Sequence, residues 1–316
     1  MKVLVTGASG YLGRAVAEHL VAGRHHVRGL VRTPTTSLPP GVDVALADLT
    51  GSDQPIAEAL DGVEAVVHCA AHMGGGDREI FRRVTVHGTE RLLRLAAEKR
   101  VRRFVHVSSI AVYPWKRSGA VAAPHDEYDI FAPLRDHYAW SKIEAERWVQ
   151  LYRRLGLLDV VVLRPGIIYG RGRSFLARLA KRLAGPLHAI AGSAHARVPL
   201  VHLTDVVEAI EHALLCPHAV ATPVNVVGPD MPTQRDYLKA RAAAGKEHIV
   251  PLYVPLGALR WLARRLATRC RFGGAEGKSL VYELGWLAQD VTFDLRAGAD
   301  EIGWMPRIAV AEGLKA

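Results

Sequence analysis

The 316-residue chain has few cysteines, no block of like charge, no long apolar run and no internal repeat. Each absence closes off a class of function. Cys69, Cys216 and Cys270 are its three cysteines. They lie far apart and form no Cys-x-x-Cys pair, so neither a disulfide framework nor a zinc site is expected. The 15 histidines show no ligand-spaced cluster, which argues against a metal site altogether. No stretch of about 18 uncharged apolar residues is present, so no segment is expected to span a bilayer. Met1-Lys2-Val3-Leu4-Val5 runs straight into a glycine-rich turn and leaves no room for a secretory leader, so a cytoplasmic protein is expected. Lys and Arg outnumber Asp and Glu by 41 to 31, but they are scattered in ones and twos. That excess reads as a bias toward anionic small molecules, not as a nucleic-acid-binding face.

What is present is the make-up of a soluble globular protein, 49% hydrophobic and 23% charged. Short apolar runs alternate with helix-period segments, the signature of a parallel sheet between helix layers. Strands are expected at Lys2–Thr6, His26–Val31, Val42–Ala47, Ala65–Cys69, Arg103–Val107 and Val160–Leu163. Helices are expected at Tyr11–Ala22, Asp53–Leu60, Arg78–Lys99 and His137–Leu155. The fold class is therefore α/β, a Rossmann-type doubly wound parallel sheet. Residues 1–165 would form the dinucleotide-binding domain, rejoined by parts of 198–228, and residues 166–316 a smaller, interrupted substrate-binding domain. In the latter the pattern predicts a basic helix at Ser174–Ala184, a strand at Val198–Leu203 and a helix at Thr204–Leu215. A further strand at Val224–Val227 and an amphipathic helix at Pro251–Thr268 complete it.

Three segments carry chemistry. Thr6-Gly7-Ala8-Ser9-Gly10-Tyr11-Leu12-Gly13 joins the first strand to the first helix. Gly7 permits the tight turn, Gly10 lets backbone approach a pyrophosphate, and Gly13 lets helix and strand pack closely. The helix amino terminus then offers N–H groups and partial positive charge to the phosphates. A carboxylate at the tip of the second strand would select NAD, but Val27-Arg28-Gly29-Leu30-Val31-Arg32 has none. Arg32 can instead pair with a 2′-phosphate, favouring NADP(H), with NAD(H) left open. Ala70 and Ala71, after the fourth strand, are small enough for a cofactor to lie close.

The second segment is Tyr138-Ala139-Trp140-Ser141-Lys142. Four residues make about one helical turn, so the Tyr138 and Lys142 side chains share a face. An ammonium beside a phenol draws its pKa down from about 10, which would let Tyr138 exchange a proton with substrate. Lys142 can also bond the ribose of a nicotinamide cofactor. The third segment is Val107-Ser108-Ser109-Ile110-Ala111-Val112-Tyr113, whose serine hydroxyls could hold a substrate oxygen.

Together these segments resemble the extended short-chain dehydrogenase/reductase superfamily, which includes the NAD-dependent epimerase/dehydratase and hydroxysteroid dehydrogenase families. The resemblance implies Ser109, Tyr138 and Lys142 as the catalytic set, with Ser108 the alternative serine. It implies Asp48 and Leu49 beside the adenine, and Pro165, Gly166 and Ile167 beside the nicotinamide. Substrate would be met by His72, Met73, Thr85, Ser109 and Arg171. Thr85 stands where many relatives carry an Asn in a proton relay. Ile110 is no acid, although dehydratases carry one there, and Pro165-Gly166 replace an Asn used by nucleotide-sugar enzymes. Those departures imply plain oxidoreduction, interconverting a secondary alcohol and a ketone on a small or medium, partly apolar substrate. A nucleotide-sugar epimerase that recycles its own NAD stands as the alternative, with Arg171, Arg173 and Arg197 available to a diphosphate. A non-catalytic, NADP-sensing binding protein is the alternative of another class. The resemblance also implies a homodimer through Arg78–Lys99 and His137–Leu155.

Overall fold

The computed structural model describes residues 1–34, 38–114, 120–124, 128, 136–173, 175–176, 180–218, 220–246, 249–255, 257 and 290–315. Its centre is a seven-stranded, wholly parallel sheet. In chain order the strands are β1 (Lys2–Thr6), β2 (His26–Val31), β3 (Val42–Leu46), β4 (Ala65–His68), β5 (Arg103–Val107), β7 (Asp159–Pro165) and β12 (Val224–Val226). Across the sheet the order is β3-β2-β1-β4-β5-β7-β12. The sequence reading placed six of these in the sheet, and β12 adds the seventh beside β7.

Alternation along the strands builds two cores. Val3 and Val5 of β1 face α1 (Tyr11–Ala22) and α6 (Leu203–Leu215), packing with Val16, Leu20 and Ile210. Leu4 faces the other way, toward α2 (Asp53–Ala59), α4 (Gly88–Glu98) and α5 (His137–Arg154), where Leu92, Leu93 and Val149 are fully buried. Strand order reverses at β1 and β4, which opens the ligand crevice of such sheets at their carboxyl ends.

The helix expected over Arg78–Lys99 is interrupted. An α-helical turn, α3 (Arg78–Phe81), widens into a π-helical stretch, Arg82–His87, before α4 begins. The Thr89 hydroxyl takes the Thr85 carbonyl at 2.6 Å, a back-bond that competes with the regular ladder. Such widened turns recur at functional sites.

The later residues form smaller sheets. β8 (Ile167–Tyr169) pairs with β11 (Leu200–His202), and β6 (Ala120–Ala122) pairs with β14 (Val291–Phe293). The helix expected at Ser174–Ala184 is corrected, because Ala180–Ala184 is β9, antiparallel to β10 (Leu187–Ala191). Apolar Leu183 is exposed here, and cross-strand bonds override the basic helical pattern. The start of the helix expected at Pro251–Thr268 is also corrected: Val250–Val254 is β13, parallel to β10. Most of that segment, 256 and 258–268, lies outside the described residues. α7 (Gln234–Ala243), α8 (Arg296–Ile302) and α9 (Val310–Gly313) complete the fold.

Candidate active site

Gly7, with φ +67°, makes the turn out of β1. A Cβ on Gly13 would lie 2.2 Å from the Gly7 carbonyl oxygen, so only glycine lets α1 start this close to the strand. Gly10 caps α1 in an extended conformation, with no side-chain cap and no acidic residue in the first turn. The Tyr11, Leu12 and Gly13 N–H groups therefore begin a helix that no side chain closes, which fits a pyrophosphate. Ser9 is exposed at the lip, and Tyr11 donates its hydroxyl to the Gly170 carbonyl at 2.5 Å.

At the β2 end, Arg32 is exposed. Burial opposes charge on Asp48, yet bonds from the Thr50 amide and hydroxyl, both 2.8 Å, outweigh it. With Arg32 and Arg83 nearby, the Asp48 carboxyl is held below the usual range. Leu49 is buried beneath it and meets Gly88 of α4.

A neutral hydrogen-bond chain ties the glycine turn to the π-helical stretch. Thr89 Oγ1 donates to Thr85, so it receives the Nε2–H of His68 at 2.8 Å. His68 Nδ1 is then the acceptor for the Thr6 hydroxyl at 2.7 Å. Thr6 Oγ1 in turn accepts the Ala70 amide at 3.2 Å, and Thr85 Oγ1 accepts the His72 amide at 3.0 Å. Burial, with Lys142 nearby, depresses the His68 imidazole to about 3, so it stays neutral. Ala70 and Ala71 are half-buried over this chain, whereas Met73 is exposed. His72 bends over to the Gly75 carbonyl at 3.0 Å.

Tyr138 and Lys142 lie one turn apart at the start of α5, whose cap is Asp136, accepting the Tyr138 amide at 2.8 Å. Tyr138 is half-buried, whereas Lys142 is 3% exposed and donates to the Val107 carbonyl at 2.8 Å. That bond sets the ammonium at the end of β5, two residues before Ser109. Burial pushes Lys142 down to about 8, against the pull of the Glu146 carboxylate. Cys69 is driven up to about 12 by burial and stays a thiol beside it.

Of the two serines, Ser108 is buried and donates to Glu146 at 2.6 Å. Ser109 is half-buried and extended, and its Oγ accepts the Ala111 amide at 3.2 Å, with no acceptor for its own proton among the described residues. In the loop expected beside a nicotinamide, the amides of Gly166 and Ile167 are taken by the carbonyls of Val226 and Pro199, at 2.9 and 2.8 Å. Pro165 ends β7 and pairs in register with Val226.

Three arginines expected to suit a diphosphate are otherwise engaged. Arg171 pairs with Glu18, Arg173 stacks over the Tyr11 ring at 4.8 Å, and Arg197 pairs with Asp290 at 3.1 Å. Among the described residues no cluster of His, Cys, Asp or Glu could hold a metal, and no helix is long and apolar enough to cross a membrane. The sequence reading missed His68 and Glu146. The signal for Glu146 was available, since it stands four residues beyond Lys142 and eight beyond Tyr138, on the same helix face.

Residues 3–228 match the model of the NAD dependent epimerase/dehydratase family. The chain belongs to that family. Within it, the chain is of the extended short-chain dehydrogenase/reductase type. It is 27% identical to a UDP-glucose 4-epimerase of Vibrio cholerae over 327 aligned positions, covering 99% of this chain and 93% of that one. It is 31% identical to a 3 beta-hydroxysteroid dehydrogenase/Delta 5-->4-isomerase of Mycobacterium tuberculosis, over 62% of this chain and 55% of the relative. A 2-alkyl-3-oxoalkanoate reductase of Stenotrophomonas maltophilia is 34% identical, over 58% of this chain and 56% of its own length. The chain thus spans about half of the latter two family relatives. Among solved structures, a short-chain dehydrogenase/reductase superfamily protein from Agrobacterium tumefaciens with bound NAD superposes with a TM-score of 0.78. It is 22% identical, covering 100% of this chain and 95% of that one. A UDP-glucuronic acid 4-epimerase from Bacillus cereus in complex with NAD gives 0.75 at 18% identity, covering 100% and 97%.

Proposed function

We propose that the protein is an NADP(H)-preferring oxidoreductase that interconverts a secondary alcohol and a ketone on a small or medium, partly apolar substrate. The observation that carries this reading is the Lys142–Val107 bond, which sets an ammonium, one turn beyond Tyr138 on its own helix, at the end of the strand that leads to Ser109. The bound nicotinamide would supply or accept the hydride. The glycine turn and the uncapped start of α1 would hold its pyrophosphate, and the close approach of Gly13 to Gly7 supports that fit. Arg32, exposed where an acidic residue would repel a 2′-phosphate, supports the NADP preference. NAD in the neighbouring structures keeps NAD(H) as the second cofactor to test.

In the reaction Ser109 donates its free hydroxyl proton to the substrate oxygen, orienting it and supporting the charge that gathers there. Tyr138 passes a proton to or from the same oxygen. Lys142 supports the phenolate electrostatically and would bond the ribose of the bound cofactor. Tyr138→Phe should lower kcat by about a thousandfold with cofactor affinity nearly unchanged. Substantial turnover in that variant, measured on a panel of alcohols and ketones, rejects the assignment.

The full-length similarity to a UDP-glucose 4-epimerase favours a second reading, a nucleotide-sugar epimerase with internally recycled NAD. Against it, Arg171, Arg173 and Arg197 already have partners. Thermal-shift profiles with NAD, NADP and UDP-sugars separate the two, since only a bound ligand raises the midpoint.

A further inference from the structure

Glu146 has no part in the chemistry above, yet it is fully buried one turn beyond Lys142. Its carboxylate accepts the Ser108 hydroxyl at 2.6 Å and the Tyr128 hydroxyl at 3.0 Å. Arg164 of β7 completes the set, with Nε at 3.1 and 3.3 Å from the two oxygens. Arg164 continues to the Tyr113 hydroxyl and the Pro124 carbonyl, both at 2.9 Å. Tyr113 donates onward to Asn225 at 2.6 Å, and Asn225 holds the carbonyls of Ala122 and Asp294.

We propose that Glu146 is a positioning residue for the reaction assigned above, holding the Ser108–Ser109 segment and the Lys142 ammonium in register from inside the core. The proposal rests on the oxidoreductase reading. The β5–β7 ladder ends with the bond from the Ser108 amide to Leu163, and side chains pin the same two residues a second time. The Val107 carbonyl is held by Lys142, the Ser108 amide by the Leu163 carbonyl at 2.7 Å, and the Ser108 hydroxyl by Glu146. Ser109 follows directly, so its hydroxyl inherits their position. Catalytic geometry is sensitive on this scale, a 1 Å misplacement costing about a hundredfold in rate. Stability alone does not account for the pair, because removing two charges from water offsets much of their attraction, and an apolar pair would serve as well. The charge has its own effect, since it opposes the burial of Lys142. The other titratable groups facing that ammonium are Cys69, His68 and His106, which burial keeps neutral, and the Tyr138 phenol one turn back on the same helix.

The test uses the full chain with NADP(H) and the alcohol and ketone panel. Ser108→Ala removes one hydroxyl and no charge; kcat should fall about tenfold while KM and cofactor Kd stay within about twofold. Glu146→Asp keeps the charge but draws it back by one methylene, and should lower kcat similarly with the pH profile unmoved. Glu146→Gln removes the charge and should also shift the alkaline limb of kcat to lower pH. Amide hydrogen exchange of the free protein gives a readout that needs no turnover, with residues 107–112 exchanging faster in Ser108→Ala. Wild-type kcat and wild-type exchange in Ser108→Ala overturn the proposal, whether or not Glu146→Gln folds. Should the wild-type chain turn over no alcohol or ketone, the oxidoreductase reading fails separately. The exchange measurement then decides whether Ser108 and Glu146 hold the segment.

Discussion

Two buried polar networks border Lys142, and they are made from opposite materials. The first, Thr6–His68–Thr89–Thr85, is neutral throughout and joins the glycine turn to the π-helical stretch. The second, Ser108–Glu146–Arg164–Tyr113–Asn225, is ionic at its centre and joins α5 to β7, β12 and the β6–β14 pair. Both keep buried groups hydrogen-bonded, as burial demands. They differ in what they fix. The neutral chain orders the end of β1 beside the glycine turn through one imidazole tautomer. The ionic one also places a negative charge next to the lysine, which a neutral chain cannot do.

The difference predicts unequal damage. Glu146→Leu strands the Arg164 guanidinium in the core and should cost about 3–5 kcal/mol, read from the denaturant midpoint. A loss below about 1 kcal/mol would mean that the pair is solvated in a way its burial denies. His68→Leu removes a neutral link whose partners keep other bonds, so about 1–3 kcal/mol is expected, together with weaker cofactor binding. If His68→Leu proves the costlier of the two, the contrast between the networks is wrong.

The pH dependence sharpens the same contrast. His68 must stay neutral in the fold, whereas the unfolded chain protonates it below about 6.5. Its contribution is therefore complete above that pH and is lost as pH falls toward about 3, where the folded imidazole also titrates. Thermal midpoints measured from pH 7 to pH 4 should decline less steeply in His68→Leu than in the wild type. The smallest effect belongs to the surface. Arg171→Ala breaks an exposed pair with Glu18 and should change stability by less than about 0.5 kcal/mol, with cofactor affinity as the informative readout.

Much of the site could be read from the chain because local rules govern it. Gly7, Gly10 and Gly13 sit where one strand must become one helix, and Tyr138 and Lys142 share a face through helical periodicity alone. The parallel sheet likewise follows from apolar runs spaced by amphipathic ones, and β1, β2, β5 and α1 have the expected limits. The failures are equally physical. Ala180–Ala184 looks helical in isolation and becomes a strand because β10 offers it bonds. The π-helical stretch is bonded through Thr85 and Thr89 to His72 and His68, which lie in the loop after β4 and at its end.

Periodicity and turn chemistry act between residues a few positions apart, so the sequence by itself determined the sheet, the glycine turn and the Tyr–Lys pair. Only the tertiary structure decided that Ser108 faces inward to Glu146 while the Ser109 hydroxyl accepts the Ala111 amide, and that Arg171 and Arg197 are spent on carboxylates. Those outcomes depend on which distant groups share a low-dielectric interior or a common surface. No spacing along the chain encodes that proximity.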